Sequence, residues 1–215
     1  MIDQVKKILH DREHASRLLV EKLHSYKNSN AVIVAIPPGG IPVGNQLALS
    51  LQLPLETMIV KPIKHPAHSE RSIGAVTVSD VFLQESACAI PQHYIYHQIH
   101  QLQHQIKIET EAQLSRIPKQ NLKDRPVIIC DTLISHVDSL SACLQSIRAQ
   151  KPSRIIVATL LATSKAAFFM TGQEIEFHYI NMILNRDHDI QFELCEDENE
   201  ILSPYRPFSE LFSFN

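Results

Sequence analysis

At 215 residues, 44% hydrophobic and 20% charged, with a formal net charge of -3, the chain has the size and composition of an ordinary globular domain with one sizeable core. The charge gives no general ground for nucleic-acid binding, since the lysines and arginines are scattered rather than clustered. No apolar run reaches the roughly 20 residues that span a bilayer, and the first residues, with Asp3, Gln4, Lys6 and Lys7, contain no apolar leader. The expectation is a cytoplasmic protein, one domain over residues 1–215, that acts on neither nucleic acid nor membrane. Four cysteines, Cys88, Cys130, Cys143 and Cys195, lie far apart without a C-x-x-C pair, so neither a zinc knuckle nor a thioredoxin-like motif is indicated.

Residues 10–27 read as an amphipathic helix, with Ala15, Leu18, Leu19 and Leu23 at helical spacing and Asp11 as candidate N-cap. AVIVAI at 31–36 is a continuous apolar run of the kind that suits a strand buried on both faces. It ends in the turn-forming PPGG, and a helix carrying Leu47, Ala48 and Leu51 starts near Pro42. LETMIV at 55–60 is a second strand. Residues 61–80 read as loops with a short hairpin, and a long helix follows at about 92–115. VIICD at 127–131 is a third strand, 138–149 a helix, RIIVATLLA at 154–162 a fourth strand and EFHYI at 176–180 a fifth. This alternation predicts an α/β fold with a doubly wound, mostly parallel sheet of about five strands flanked by helices. From about Asp187 the chain turns acidic and then aromatic, a tail expected to dock on the surface.

In open α/β sheets ligands bind beyond the carboxyl ends of the strands. The first such loop, Ile36-Pro37-Pro38-Gly39-Gly40-Ile41-Pro42-Val43-Gly44, holds three of the five glycines in the chain. Glycines between a buried strand and a helix can bare backbone amides toward an anion, although the same pattern also makes a plain tight turn.

These segments resemble one branch of the type I phosphoribosyltransferases. DREHASRLL matches that branch's short helix of the D-R-x-x-A-x-x-L type, and AIPPGGIPVG matches its L-P-R-G-G-V-P-V-G loop. KPIKHPAHSERSIGAV follows its R-K-I-G-x-P-x-x-P-E-x-A-I-G-A-V segment without a gap, through Lys61, Ile63, Pro66, Glu70 and Ile73-Gly74-Ala75-Val76. The succession agrees from about residue 10 to residue 162. The resemblance implies a small irregular hood beside the sheet and transfer of phosphoribosyl from phosphoribosyl pyrophosphate to an acceptor, with Mg²⁺. It implies that Asp131 holds the ribose and that Pro38, Gly39 and Gly40 form the pyrophosphate loop, with Lys61 or Lys64 assisting. Thr132, Ser135, His136 and Ser139 would then lie along the 5′-phosphate. It also implies a cis peptide, which falls at Pro37–Pro38, where a proline lowers the cis penalty to about 1 kcal/mol or less.

The departures from the family pattern are grouped. Its V-D-D-G-x-A-T-G-A-T turn is Cys130-Asp131-Thr132-Leu133-Ile134-Ser135-His136-Val137-Asp138-Ser139 at the matching place, with the second acid and both glycines gone. Its loop arginine is Pro38 and the lysine of R-K-I-G is Pro62. A valine at a position needing positive φ would be a genuine outlier, so the turn is expected to be reshaped, and Asp138 adds a charge that repels phosphate. Two readings follow: a phosphoribosyltransferase with Mg²⁺ and an unknown acceptor, or a catalytically inactive relative that keeps the fold as a binding, regulatory or assembly module. A phosphate or pyrophosphate ligand fits either reading, and a homodimer is the default assembly.

Other features have plainer explanations. His93, His97, His100 and His104 share one face of the long helix, offset from Ile95, Ile99, Leu102 and Ile106; this stripe reads as a solvated face rather than a metal site. Ser135, His136 and Asp138 are too close in sequence to form a hydrolase relay. No metal ligand set is assigned, and the acidic run from Glu193 to Glu200 reads as solvated.

Overall fold

The fold is taken from a computed structural model, which describes residues 12–114, 117–135, 137–173 and 175–183. Helix α1 (Arg12–Lys22) is followed by a 3₁₀ turn at His24–Tyr26, strand β1 (Val32–Ala35), helix α2 (Gly40–Leu51) and strand β2 (Leu55–Thr57). Strands β3 (Lys61–His65), β4 (His68–Val76) and β5 (Val81–Leu83) precede a 3₁₀ turn at Glu85–Ala89 and the long helix α3 (Gln92–Leu114). The remainder is β6 (Pro126–Ile134), α4 (Val137–Ala149), β7 (Arg154–Thr163), α5 (Ser164–Thr171) and β8 (Glu176–Ile183).

Five strands form one parallel sheet in the order β2-β1-β6-β7-β8. The apolar runs are continuous because both faces are covered. Ile33, Ala35, Ile128 and Cys130 point to the side of α1 and α2, against Leu19, Leu23, Leu47 and Leu51. Their sequence neighbours Val32, Val34, Val127 and Ile129 point the other way, against Leu144 and Ile147 of α4 and Met170 of α5. Side chains alternate along a strand, so a run with no polar residue is what a two-sided burial requires.

The segment 61–80, expected as loops with a hairpin, is more regular than that. With β5 it forms a three-stranded antiparallel sheet, β3-β4-β5, which packs with α3 around Ile63, Ile73, Val76, Ile95 and Ile106. Strands β3 and β5 are short, and the β3–β4 pairing is bulged at Lys64, which blurs the alternation. On α3, Ile95 and Ile106 are buried, while His93, His97, His100 and His104 are all exposed on the opposite side. Helix α5 carries no clear amphipathic signature, and the sequence patterning does not predict it; it is capped by Thr163, whose Oγ1 accepts the Ala166 amide at 3.2 Å. The candidate cap Asp11 and the tail from Asp187 lie outside the described residues. Among the described residues no helix is long and apolar enough to cross a membrane.

Candidate phosphate-loop site

The loop after β1 folds onto the later residues of β6 because those strands are neighbours, paired from Val32 with Val127 to Ala35 with Cys130. The Ile36 amide donates to the Cys130 carbonyl at 3.0 Å, and the Gly40 amide donates back to Ile36 at 2.8 Å. The chain therefore reverses over Cys130 and Asp131 of β6, with a cis Pro37–Pro38 peptide in the turn. Among the described residues, no glycine has a positive φ. What glycine supplies here is close approach: a Cβ on Gly40 would lie 2.5 Å from the Cys130 carbonyl oxygen, and one on Gly39 would lie 2.9 Å from Asp131 Oδ1.

Asp131 sits half-buried directly beneath Gly39. Its Oδ1 accepts the Thr132 amide at 2.7 Å. Burial pushes its pKa up to about 7, against the opposing pull of the Thr132 and Leu133 amides. Thr132 is buried, and its hydroxyl donates to the Gly39 carbonyl at 2.5 Å. The residue that replaces the family's second acid thus ties strand β6 to the loop after β1. Burial also raises the thiols of Cys130 and Cys143 well above their ordinary range, so neither is a nucleophile at neutral pH.

Beyond Asp131 the strand does not stop. The sequence reading ends it at Asp131, but β6 continues to Ile134, in register with β7 from Asp131 opposite Thr159 to Leu133 opposite Leu161 and Ile134 opposite Ala162. Helix α4 begins at Val137, which is absent from the positive-φ residues Asn28, Gln52, Asp124 and Lys151. The glycine-free segment has taken extended backbone where a tight turn would need left-handed geometry. Ser135 and Ser139 are half-buried at this junction, and His136 lies outside the described residues.

Asp138 is in the first turn of α4 and is buried; its Oδ2 accepts Gln84 Nε2 at 2.6 Å. The chain's own carboxylate therefore occupies the helix start, where the dipole favours negative charge. Nothing in the sequence singles out Gln84, 54 residues away. The two candidate cations are placed apart from the Gly39–Asp131 contact: Lys61 pairs with Glu109 of α3 at 2.8 Å, and Lys64 is exposed on the β3–β4 sheet. Pro38 is exposed at the loop tip.

For Mg²⁺ these residues offer one protein carboxylate, Asp131. The ion takes oxygen ligands from carboxylates and substrate phosphates. Here a single carboxylate faces the loops, already bonded and protonating near neutrality, and the second acid is a threonine. Among the described residues no group of three or more histidine, cysteine or acidic side chains is placed to hold a metal.

The comparisons with known proteins agree with the fold. The model of the phosphoribosyl transferase domain matches residues 1–169. A Mycobacterium tuberculosis protein, provisionally named a phosphoribosyl transferase, is 25% identical over 156 residues, covering 71% of this chain and 35% of its own length. The chain thus spans about a third of that relative. The crystal structure of TT1426 from Thermus thermophilus superposes with a TM-score of 0.68 at 24% identity, over 83% of this chain and 86% of that one. A purine phosphoribosyltransferase from Pyrococcus horikoshii Ot3 gives a TM-score of 0.48 at 16% identity, over 80% and 85% of the two chains. With a family model spanning most of its length and a five-stranded parallel sheet in which the loop after β1 folds over β6, the chain belongs to the phosphoribosyl transferase domain family.

Proposed function

We propose that this chain is a non-transferring member of its family, a cytoplasmic protein that keeps the phosphoribosyltransferase fold as a binding module. The observation that carries the reading is the continuation of β6 through Ile134. Backbone that should curl around a 5′-phosphate is instead paired with β7. An anion approaching α4 also meets Asp138, and phosphoryl and pyrophosphate charge finds no arginine in the first loop, where Pro38 stands. Each change removes an interaction that would favour the charged transition state, and fold alone does not supply chemistry.

Calorimetric titration with phosphoribosyl pyrophosphate, with and without Mg²⁺, tests this directly, with Asp131→Ala as the control. The expected result is no heat and no thermal stabilisation at about millimolar ligand, a level that would raise stability by about 2.7 kcal/mol for a site with a dissociation constant one hundredfold lower. Metal-dependent binding that disappears in the variant would establish the transferase reading instead, with Asp131 on the ribose.

A further inference from the structure

A cavity of about 280 Å³ lies away from the two strand-end loops, between the end of β2, the middle and end of α3 and the last turns of α4. None of the candidate phosphate-loop residues lines it. Its apolar wall is Met58, Ile59, Ile106 and Ile117. Into it faces Glu56, only 7% exposed. One carboxylate oxygen, Oε2, accepts the Gln120 amide at 2.9 Å; among the described residues no hydrogen bond reaches the other. A carboxylate lining an apolar cavity offers an acceptor to an N–H that enters it.

The rim narrows the class of ligand. Lys107 and Lys119 stand near Glu111 and Glu56, so the charges balance and no net field draws in an ion. The buried Glu56 repels an anion from the floor, and Lys119 acts on the same carboxylate that a small cation would have to reach. Burial raises the pKa of Glu56, with the Gln120 amide and Lys119 pulling the other way.

We propose that this cavity binds a small, neutral, mostly apolar heterocycle that donates an N–H to Glu56. The volume is at the lower end of ligand pockets and suits one or two fused rings. The site is separate from the phosphate loops, so the outcome is independent of the phosphoribosyl pyrophosphate titration.

Isocarbostyril, a bicyclic lactam with one ring N–H, is a suitable probe, and N-methylisocarbostyril keeps its shape without the donor. Titration of the full chain, followed by calorimetry and by chemical shifts of the α3 amides, is expected to show saturable binding of the first. The second should bind at least roughly tenfold more weakly, since a site built to pair an N–H discriminates against its absence. Glu56→Gln should abolish the preference: its carboxamide oxygen can keep the Gln120 bond, which leaves an NH₂ facing the cavity. Thr110→Phe, which fills the cavity from α3, should abolish binding of both without relying on Glu56. Absence of binding at millimolar probe, or equal affinity for the two probes, or binding that survives Thr110→Phe, would overturn the proposal.

Discussion

Strands β1 and β6 lie side by side and run parallel, yet they end in opposite ways. After β1 the chain breaks off at once, reverses through Pro37–Pro38 and starts a helix at Gly40. After Asp131, β6 keeps its pairing with β7 for three more residues. The difference follows from the residues available. The first loop has glycines at the two points where backbone and side chain from β6 come closest, whereas the second has Leu133 and Val137 in place of the family's glycines. Where glycine was kept, the chain could turn tightly against its neighbour; where it was lost, extended structure was the unstrained alternative.

The largest expected effect comes from breaking the side that kept its glycine. Gly40→Ala places a methyl group 2.5 Å from the Cys130 carbonyl oxygen, backbone that cannot swing aside. We expect a loss of roughly 3 kcal/mol from this overpacking, read from the denaturant midpoint at unchanged slope. A loss below about 0.5 kcal/mol would mean that the loop rides freely over β6, and the comparison between the strand ends would lose its basis.

A second effect probes the carboxylate between the two loops. The folded-state pKa of Asp131 is about 7, whereas the unfolded value is about 3.9. Between those values the native state holds a proton that the unfolded chain has released, so stability falls as pH rises from about 4 to about 7, and the penalty is complete above that. Asp131→Asn removes the titration. Its stability relative to the parent should therefore improve by roughly 2 kcal/mol between pH 5 and pH 8. Parallel stability curves for the two proteins over that range would show that Asp131 is solvated and that the Gly39 loop does not cover it.

The same contrast explains what the sequence made legible. The central strands β1, β6 and β7 could be found because each is a run of mostly apolar residues buried on both faces, a pattern that ordinary loops do not produce, whereas the edge strands β2 and β8, which carry Glu56 and Glu176, His178 and Asn181, follow from the alternation of strand and helix. The β3–β5 sheet was harder: β3 and β5 are short, the first half of β4 is exposed while its second half is buried, and a bulge at Lys64 interrupts the alternation. At the candidate site, Asp131 and the glycines of the first loop could be singled out from local order. The continuation of β6 was masked by its alignment to a turn, although Thr132-Leu133-Ile134 is itself good strand sequence. Contacts set by distant segments left no local trace. Lys61 is close in sequence to the expected site yet bonded to Glu109, and Gln84 reaches Asp138 across 54 residues.

That last contact gives the smallest of these effects and the sharpest test of how the β6 side is held. Asp138 serves α4 in two ways: its charge lies in the first turn, where the helix dipole favours it, and its Oδ2 accepts the Gln84 amide. Asp138→Asn removes the charge and keeps an oxygen for Gln84, and should cost about 0.5 kcal/mol. Asp138→Ala removes both and leaves the Gln84 donor unpaired, and should cost about 1.5 kcal/mol. The difference between the variants then measures the Gln84 bond, and it should vanish in a Gln84→Ala background if the two side chains act only through each other. A difference that persists there would place the role of Asp138 within α4 alone. The helix start would then be fixed by local capping, and the segment after β5 would have no part in holding it.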